Sequence, residues 1–152
     1  MLSEKKLELI ERIGVFHEMR GVQPLMGRIM GLLLVLEEAE ATFEEIVDYL
    51  NVSKSAVSNA LNVLQLKGHV AYKTKPGDRK RFFHLTLENW QGDMEKKLCD
   101  ISEMSSFMQE VLEARGETKP EFNHNIKDIC KFMDFLKTRI PSLFNEFRKS
   151  QG

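Results

Sequence analysis

The hydrophobic and polar positions alternate with two different periods along the chain, and the change of period marks its parts. Leu7, Ile10, Ile13, Val15 and Phe16 recur at helical spacing, which predicts a first helix capped by Ser3 and running to about Arg20, with Gly21 as its stop. Pro24 suits the first turn of a second helix reaching Leu36. Its Gly27 and Gly31 lie four apart on one face, and since each costs about 1 kcal/mol relative to Ala in a helix, the pair predicts a close helix approach. Residues 37–41 (EEAEA) read as a loop. Thr42, with Glu45 three residues on, reads as the capping box of a short helix to Leu50 that buries Phe43, Ile46, Val47 and Leu50. Asn51-Val52-Ser53 is a tight connection into a fourth helix, Lys54 to about Lys67, capped by Ser53 and ended by Gly68.

After Gly68 the pattern becomes extended. Residues 69–74 and 81–85 read as strands, and Pro76-Gly77-Asp78-Arg79 between them has turn chemistry, so a β-hairpin follows two short capped helices joined in helix-turn-helix fashion. Beyond Thr86 only helical patterns remain. One runs from about Leu87 to Arg115 (Trp90, Met94, Leu98, Ile101, Met104, Phe107), and Gly116 to Pro120 breaks it. Another runs through Ile126, Cys130, Met133, Leu136 and Ile140 and continues past a break at Pro141 to Phe147.

Charge adds what periodicity cannot. The 152 residues hold 22 Lys+Arg and 23 Asp+Glu, a net charge of −1 that on its face argues against a polyanion partner. Residues 51–84, however, carry +6 and the remainder −7, so the chain is a basic cassette in an acidic body. Placed on a helical wheel, the fourth helix puts Val57, Ala60, Leu61 and Leu64 on one side and Lys54, Ser55, Ser58, Asn59 and Asn62 on the other. That polar side has no Asp or Glu, although an ordinary solvated face in a chain with 30% charged residues carries both signs. Short hydroxyls and carboxamides can approach base edges and phosphates, and Asn can make a bidentate contact with adenine. Ser53, Lys54, Ser55, Ser58, Asn59 and Asn62 are therefore the candidate groove-reading residues. Lys73, Lys75, Arg79, Lys80 and Arg81 on the hairpin are candidate phosphate contacts.

This arrangement resembles the winged helix-turn-helix regulators of the MarR superfamily, and within it the GbsR-like branch. The resemblance rests on GRIMGLLLV (27–35), VSKSAVSNALNVLQLKGHV (52–70) and the wing KPGDRKRFFHL (75–85). It implies a mainly α fold with a small β-hairpin wing, a winged helix-turn-helix flanked by long dimerisation helices. Residues 1–23 would form an N-terminal dimerisation helix, 24–86 the DNA-binding domain and 87–152 a C-terminal helical dimerisation region. It further implies a homodimer, a repressor in function, with two recognition helices in successive major grooves of a near-palindromic operator in double-stranded DNA. Arg79 would stand at the wing tip, with Asp78 holding the turn. The many apolar residues of the C-terminal half (Met94, Met104, Phe107, Met108, Phe132, Met133, Phe135, Phe144, Phe147) suit a dimer seam, the rival being packing within one monomer. Members of the superfamily often sense a small molecule. Phe16, Trp90 and Phe107 are the candidates to line such an effector crevice, although single aromatics at helical spacing are more often core.

Other classes lose ground. The longest apolar run, Leu32 to Leu36, is far short of the roughly 20 residues of a membrane span. Cys99 and Cys130 stand alone without a CxxC partner, which fits a reducing cytoplasm and leaves a redox role without a marker. The four histidines show no metal-ligand spacing, no cofactor is expected, and no GxSxG, P-loop or GxGxxG supports an enzyme. The principal alternative is a winged helix that binds protein instead of DNA.

Overall fold

The computed structural model describes residues 2–152, except the side chains of Ile101 and Ser102. The elements are α1 (Glu4–Glu18), α2 (Pro24–Val35), β1 (Glu40–Thr42), α3 (Phe43–Leu50), α4 (Lys54–Leu66), β2 (Val70–Thr74), β3 (Arg81–Leu85), α5 (Trp90–Arg115) and α6 (Pro120–Ser150). They divide into a first unit through Leu87 and a second, Glu88–Gly152. The fold is mainly helical with one small antiparallel sheet, as the sequence pattern predicts.

In the first unit α2 is the central helix. Its Ile29, Leu32 and Leu33 are fully buried against Ile46 of α3, Val57, Leu61 and Leu64 of α4, and Val70 and Phe83 of the sheet. Helix α1 lies along α2, and the expected close approach is present. A Cβ on Gly27 would come within 3.0 Å of His17 Cβ and 3.1 Å of Gly14 Cα, and one on Gly31 within 3.3 Å of Ile10 Cα. The two backbones thus pass closely enough that a Cβ at either position would crowd α1, which keeps α2 packed despite the entropy that glycine costs.

The expected loop at residues 37–41 is only partly a loop. Glu40 to Thr42 form β1, which pairs with β3 in the register Glu40↔His84, Ala41↔Phe83 and Thr42↔Phe82, so the sheet has three strands in the order β1-β3-β2 instead of being a bare hairpin. Three residues are too few to show a period of two. Backbone pairing with a strand forty residues away makes this segment extended. Immediately after it, Thr42 caps α3 as expected. Its Oγ1 accepts from Glu45 N at 3.3 Å and donates to Glu45 Oε2, and its own N–H donates to that oxygen at 2.7 Å.

The second unit is a pair of long helices. Asn123 is buried at their connection, donating to the Gly116 carbonyl at 2.7 Å and accepting from Arg115 Nε at 2.9 Å. Ser105, also buried, donates to Asp134 Oδ1 at 2.8 Å across the pair. Pro141 does not break α6. The proline costs about 3 kcal/mol through its missing N–H and ring clash, but buried Ile140 and Phe144 flank it and anchor both sides against α5. Phe144 is therefore core of this unit and is not available to the seam to which the sequence pattern assigns it. Met94, Met104, Phe107, Phe132, Phe135 and Phe147 remain exposed. No helix among the described residues is long and apolar enough to cross a membrane.

Candidate nucleic-acid interface

Three local devices aim α4 and the wing. Asn51 takes the left-handed conformation (φ 50°, ψ 50°) at the end of α3, a geometry asparagine tolerates well, and turns the chain within three residues into α4. Ser53 then caps α4, its Oγ accepting from Ala56 N at 3.2 Å. At the other end Gly68 (φ 70°) closes a Schellman motif: His69 N donates to Leu64 O and Gly68 N to Gln65 O, both at 2.9 Å. The base of the wing is tied to this corner, since Thr86 N donates to His69 O at 3.1 Å and the Thr86 hydroxyl to Gly68 O. Helix α4 and the β2–β3 hairpin thus leave one corner tied by backbone and side-chain hydrogen bonds.

The two faces of α4 separate as the wheel predicts. Val57, Ala60, Leu61 and Leu64 are at most 2% exposed, while Lys54, Ser55, Ser58, Asn59 and Asn62 all face solvent. Leu66, one turn beyond Asn62, is on the same side and is 87% exposed. Wheel reasoning passes over it because a terminal leucine reads as core, yet it adds an apolar group to an otherwise polar face.

The wing cations do not form one equivalent set. At the tip, Asp78 N donates to Lys75 O at 3.0 Å around Pro76 and Gly77 (φ 80°), and the Asp78 carboxylate accepts from Lys80 N at 2.9 Å. Asp78 therefore holds the turn, and Arg79 projects from it. Among the described residues, no carboxylate lies within ion-pair distance of Lys54, Arg79 or Lys80. Arg81 places its guanidinium 4.6 Å from the centre of the Tyr72 ring. Lys73 and Lys75 differ: their ammonium groups lie 2.6 and 2.5 Å from the two carboxylate oxygens of Glu40 on β1. Lys75 also sits 3.9 Å from the centre of the Phe82 ring. Hydrogen bonds from Lys73 and then Lys75 hold the Glu40 carboxyl below its ordinary pKa, and the same bond raises that of Lys75. Glu40 is the residue that sequence reasoning misses. It lies outside the basic cassette and meets it only because β1 joins the sheet.

Each aromatic candidate has its own local contacts. Phe16 on α1 carries the Arg20 guanidinium 3.6 Å from its ring centre. Trp90 meets Phe147 edge-on, ring centres 6.0 Å apart, beside an open apolar groove of about 470 Å³ lined also by Leu143 and Phe144. Phe107 is on the same helix as Trp90 but 17 residues further on, about 25 Å along the axis at about 1.5 Å per residue. It is 62% exposed. Cys130 is buried, its Sγ donating to the Ser105 carbonyl at 3.8 Å, and Cys99 is half-buried. Among the described residues no group of His, Cys, Asp or Glu is arranged to hold a metal.

Comparison with known proteins agrees with this architecture. Residues 30–81, from within α2 to the first residue of β3, match the model of the MarR family. The chain is 20% identical over 146 residues to the HTH-type transcriptional regulator MmpR5 of Mycobacterium tuberculosis, spanning 96% of this chain and 88% of that one. It superposes on the crystal structure of a transcriptional regulator with a TM-score of 0.72 at 20% identity, covering 95% of this chain and 99% of the other. Residues 30–81 thus match the MarR family model, in a chain with the fold of a solved transcriptional regulator.

Proposed function

We propose that the chain is a sequence-specific regulator of transcription that binds double-stranded DNA as a homodimer and represses by occupying a near-palindromic operator. The observation that carries this reading is the exposed, acid-free face of α4 held in a fixed relation to a cationic wing. Ser53, Lys54, Ser55, Ser58, Asn59 and Asn62 present hydroxyl, amide and ammonium groups to a major groove, and Leu66 offers an apolar contact of the kind a thymine methyl accepts. Arg79, Lys80 and Arg81 supply phosphate contacts, which give affinity and register without sequence choice. A wing that docked on protein would have little use for uncompensated cations at its tip. The likeness to MmpR5 and to a solved regulator supports the same class.

Dimerisation gives two such reading heads. The exposed apolar groups of α5 and α6, Phe107, Phe132 and Phe135 among them, provide the seam, each worth about 1.5–3 kcal/mol when fully buried. Control by a small molecule is part of the proposal without an assigned pocket, because Trp90 and Phe107 stand 17 residues apart along α5.

The test is selection of bound fragments from genomic DNA, followed by binding to the selected operator. Asn59→Ala with Asn62→Ala should reduce the preference for the operator over random duplex by about 1–3 kcal/mol per lost base contact. Arg79→Ala with Lys80→Ala should weaken binding to every duplex and reduce the salt slope by about 1.8. Equal, sequence-blind losses from both pairs would refute the division of roles. Absence of duplex binding by the intact chain at low salt would refute the function.

A further inference from the structure

The pairing of Glu40 with two wing lysines has a functional reading that rests on the DNA-binding proposal and goes beyond it. Glu40 occupies β1 opposite His84 of β3, and Lys73 occupies β2 opposite Phe82, so all four residues lie on the sheet face away from the buried Ala41 and Phe83. From there the Glu40 side chain takes one ammonium per oxygen, Lys73 on Oε2 and Lys75 on Oε1. Its side chain is only 8% exposed, while those of Lys73 and Lys75 are 57% and 47% exposed. A carboxylate gripped by two ammonium groups is the arrangement that two lysines make around a phosphate.

We propose that Glu40 is an intramolecular stand-in for phosphate that withholds Lys73 and Lys75 from DNA, so that the wing engages the backbone through its tip. Two lysines on the wing stem add only sequence-independent attraction, and that attraction favours random DNA as much as an operator. By holding both ammonium groups and cancelling one of their two charges, Glu40 lowers non-specific affinity and leaves the α4 face a larger share of the binding energy. Glu40 is thus a positioning residue that acts through the lysines.

The experiment is fluorescence anisotropy with a labelled random-sequence duplex at 50–200 mM NaCl. Glu40→Gln keeps the shape and the hydrogen-bonding oxygen but removes the charge. It should tighten binding at 50 mM and steepen the slope of log K against log salt by up to about 1.8, two phosphates at about 0.9 each. Over that fourfold range in salt, the added slope amounts to a further loss of affinity of about 12-fold. Adding Lys73→Gln and Lys75→Gln to Glu40→Gln should restore the wild-type slope, which a merely structural role for Glu40 would not produce. In the otherwise wild-type chain the two lysine substitutions should change the slope by less than about 0.5. That arm carries the test alone if thermal melts show that Glu40→Gln does not fold.

An unchanged slope in Glu40→Gln would overturn the proposal. So would a flattening of about 1.8 when the lysines alone are replaced, because both would then already sit on phosphates. Either result leaves DNA binding by the wild type intact. Failure of the wild type to bind any duplex would instead overturn the underlying reading and this proposal with it.

Discussion

Gly27 offers a case in which two physical terms of opposite sign compete. Replacing a helix-interior glycine with alanine ordinarily stabilises by about 1 kcal/mol, since alanine loses less backbone entropy on folding. At Gly27, however, the new Cβ would sit 3.0 Å from His17 Cβ and 3.1 Å from both Gly14 Cα and Gly14 O. Carbon contacts are comfortable at about 3.5–4.0 Å, so α1 and α2 would have to separate by a few tenths of an ångström at this point. Two of the three obstructing atoms are backbone and cannot rotate away. Overpacking of this kind costs about 1–3 kcal/mol, which exceeds the propensity gain and leaves Gly27→Ala less stable by about 1 kcal/mol. For a unit of this size that is a fall of about 4–8 °C in melting temperature.

Gly92 of α5 is the control, because a Cβ there meets only the Asn89 side chain, at 2.9 Å, and that side chain can move aside. Circular dichroism melts of the full chain should therefore show Gly27→Ala below the wild type and Gly92→Ala at or above it. A melting temperature raised by Gly27→Ala would refute the close-packing argument.

Two further outcomes follow from the same structure. Hydrogen bonds from the Thr42 backbone and then its hydroxyl hold the Glu45 carboxyl below its ordinary 4.5, so the stability it contributes is present above that value and is lost as pH falls through the folded-state pKa. Glu45→Gln should cost about 1–2 kcal/mol at pH 7 and make urea midpoints less sensitive to pH below 5; an unchanged acid limb would contradict this. Light scattering at micromolar concentration should give the mass of a dimer, and Phe132→Glu with Phe107→Glu should convert it to a monomer of 17.6 kDa that still folds. A monomeric wild type would refute the seam.

Much of the candidate site was legible because local chemistry sets it. Ser53, Thr42 and Glu45 satisfy helix N-terminal amides within three residues of themselves, Gly68 and Gly77 take positive φ as their places in turns require, and the spacing of Val57, Leu61 and Leu64 determines which side of α4 is left facing solvent. Even the close approach of α1 to α2 could be read from Gly27 and Gly31, because glycines four apart in a helix need a steric reason.

What tertiary structure alone decided are the relations that span long stretches of chain. Residues 40–42 are too few to show a strand period, and their conformation follows from pairing with residues 82–84. Through that pairing Glu40 reaches Lys73 and Lys75, so cations that look alike in a charge count divide into a stem held by a carboxylate and an open tip. Pro141 reads locally as a break, yet the burial of Ile140 and Phe144 outweighs the lost hydrogen bond. Caps, turns and amphipathic faces are determined by interactions a few residues long, and the sequence displays them directly. Which carboxylate meets which ammonium depends on strand order, and a charge pattern acquires that information only when the sheet has formed.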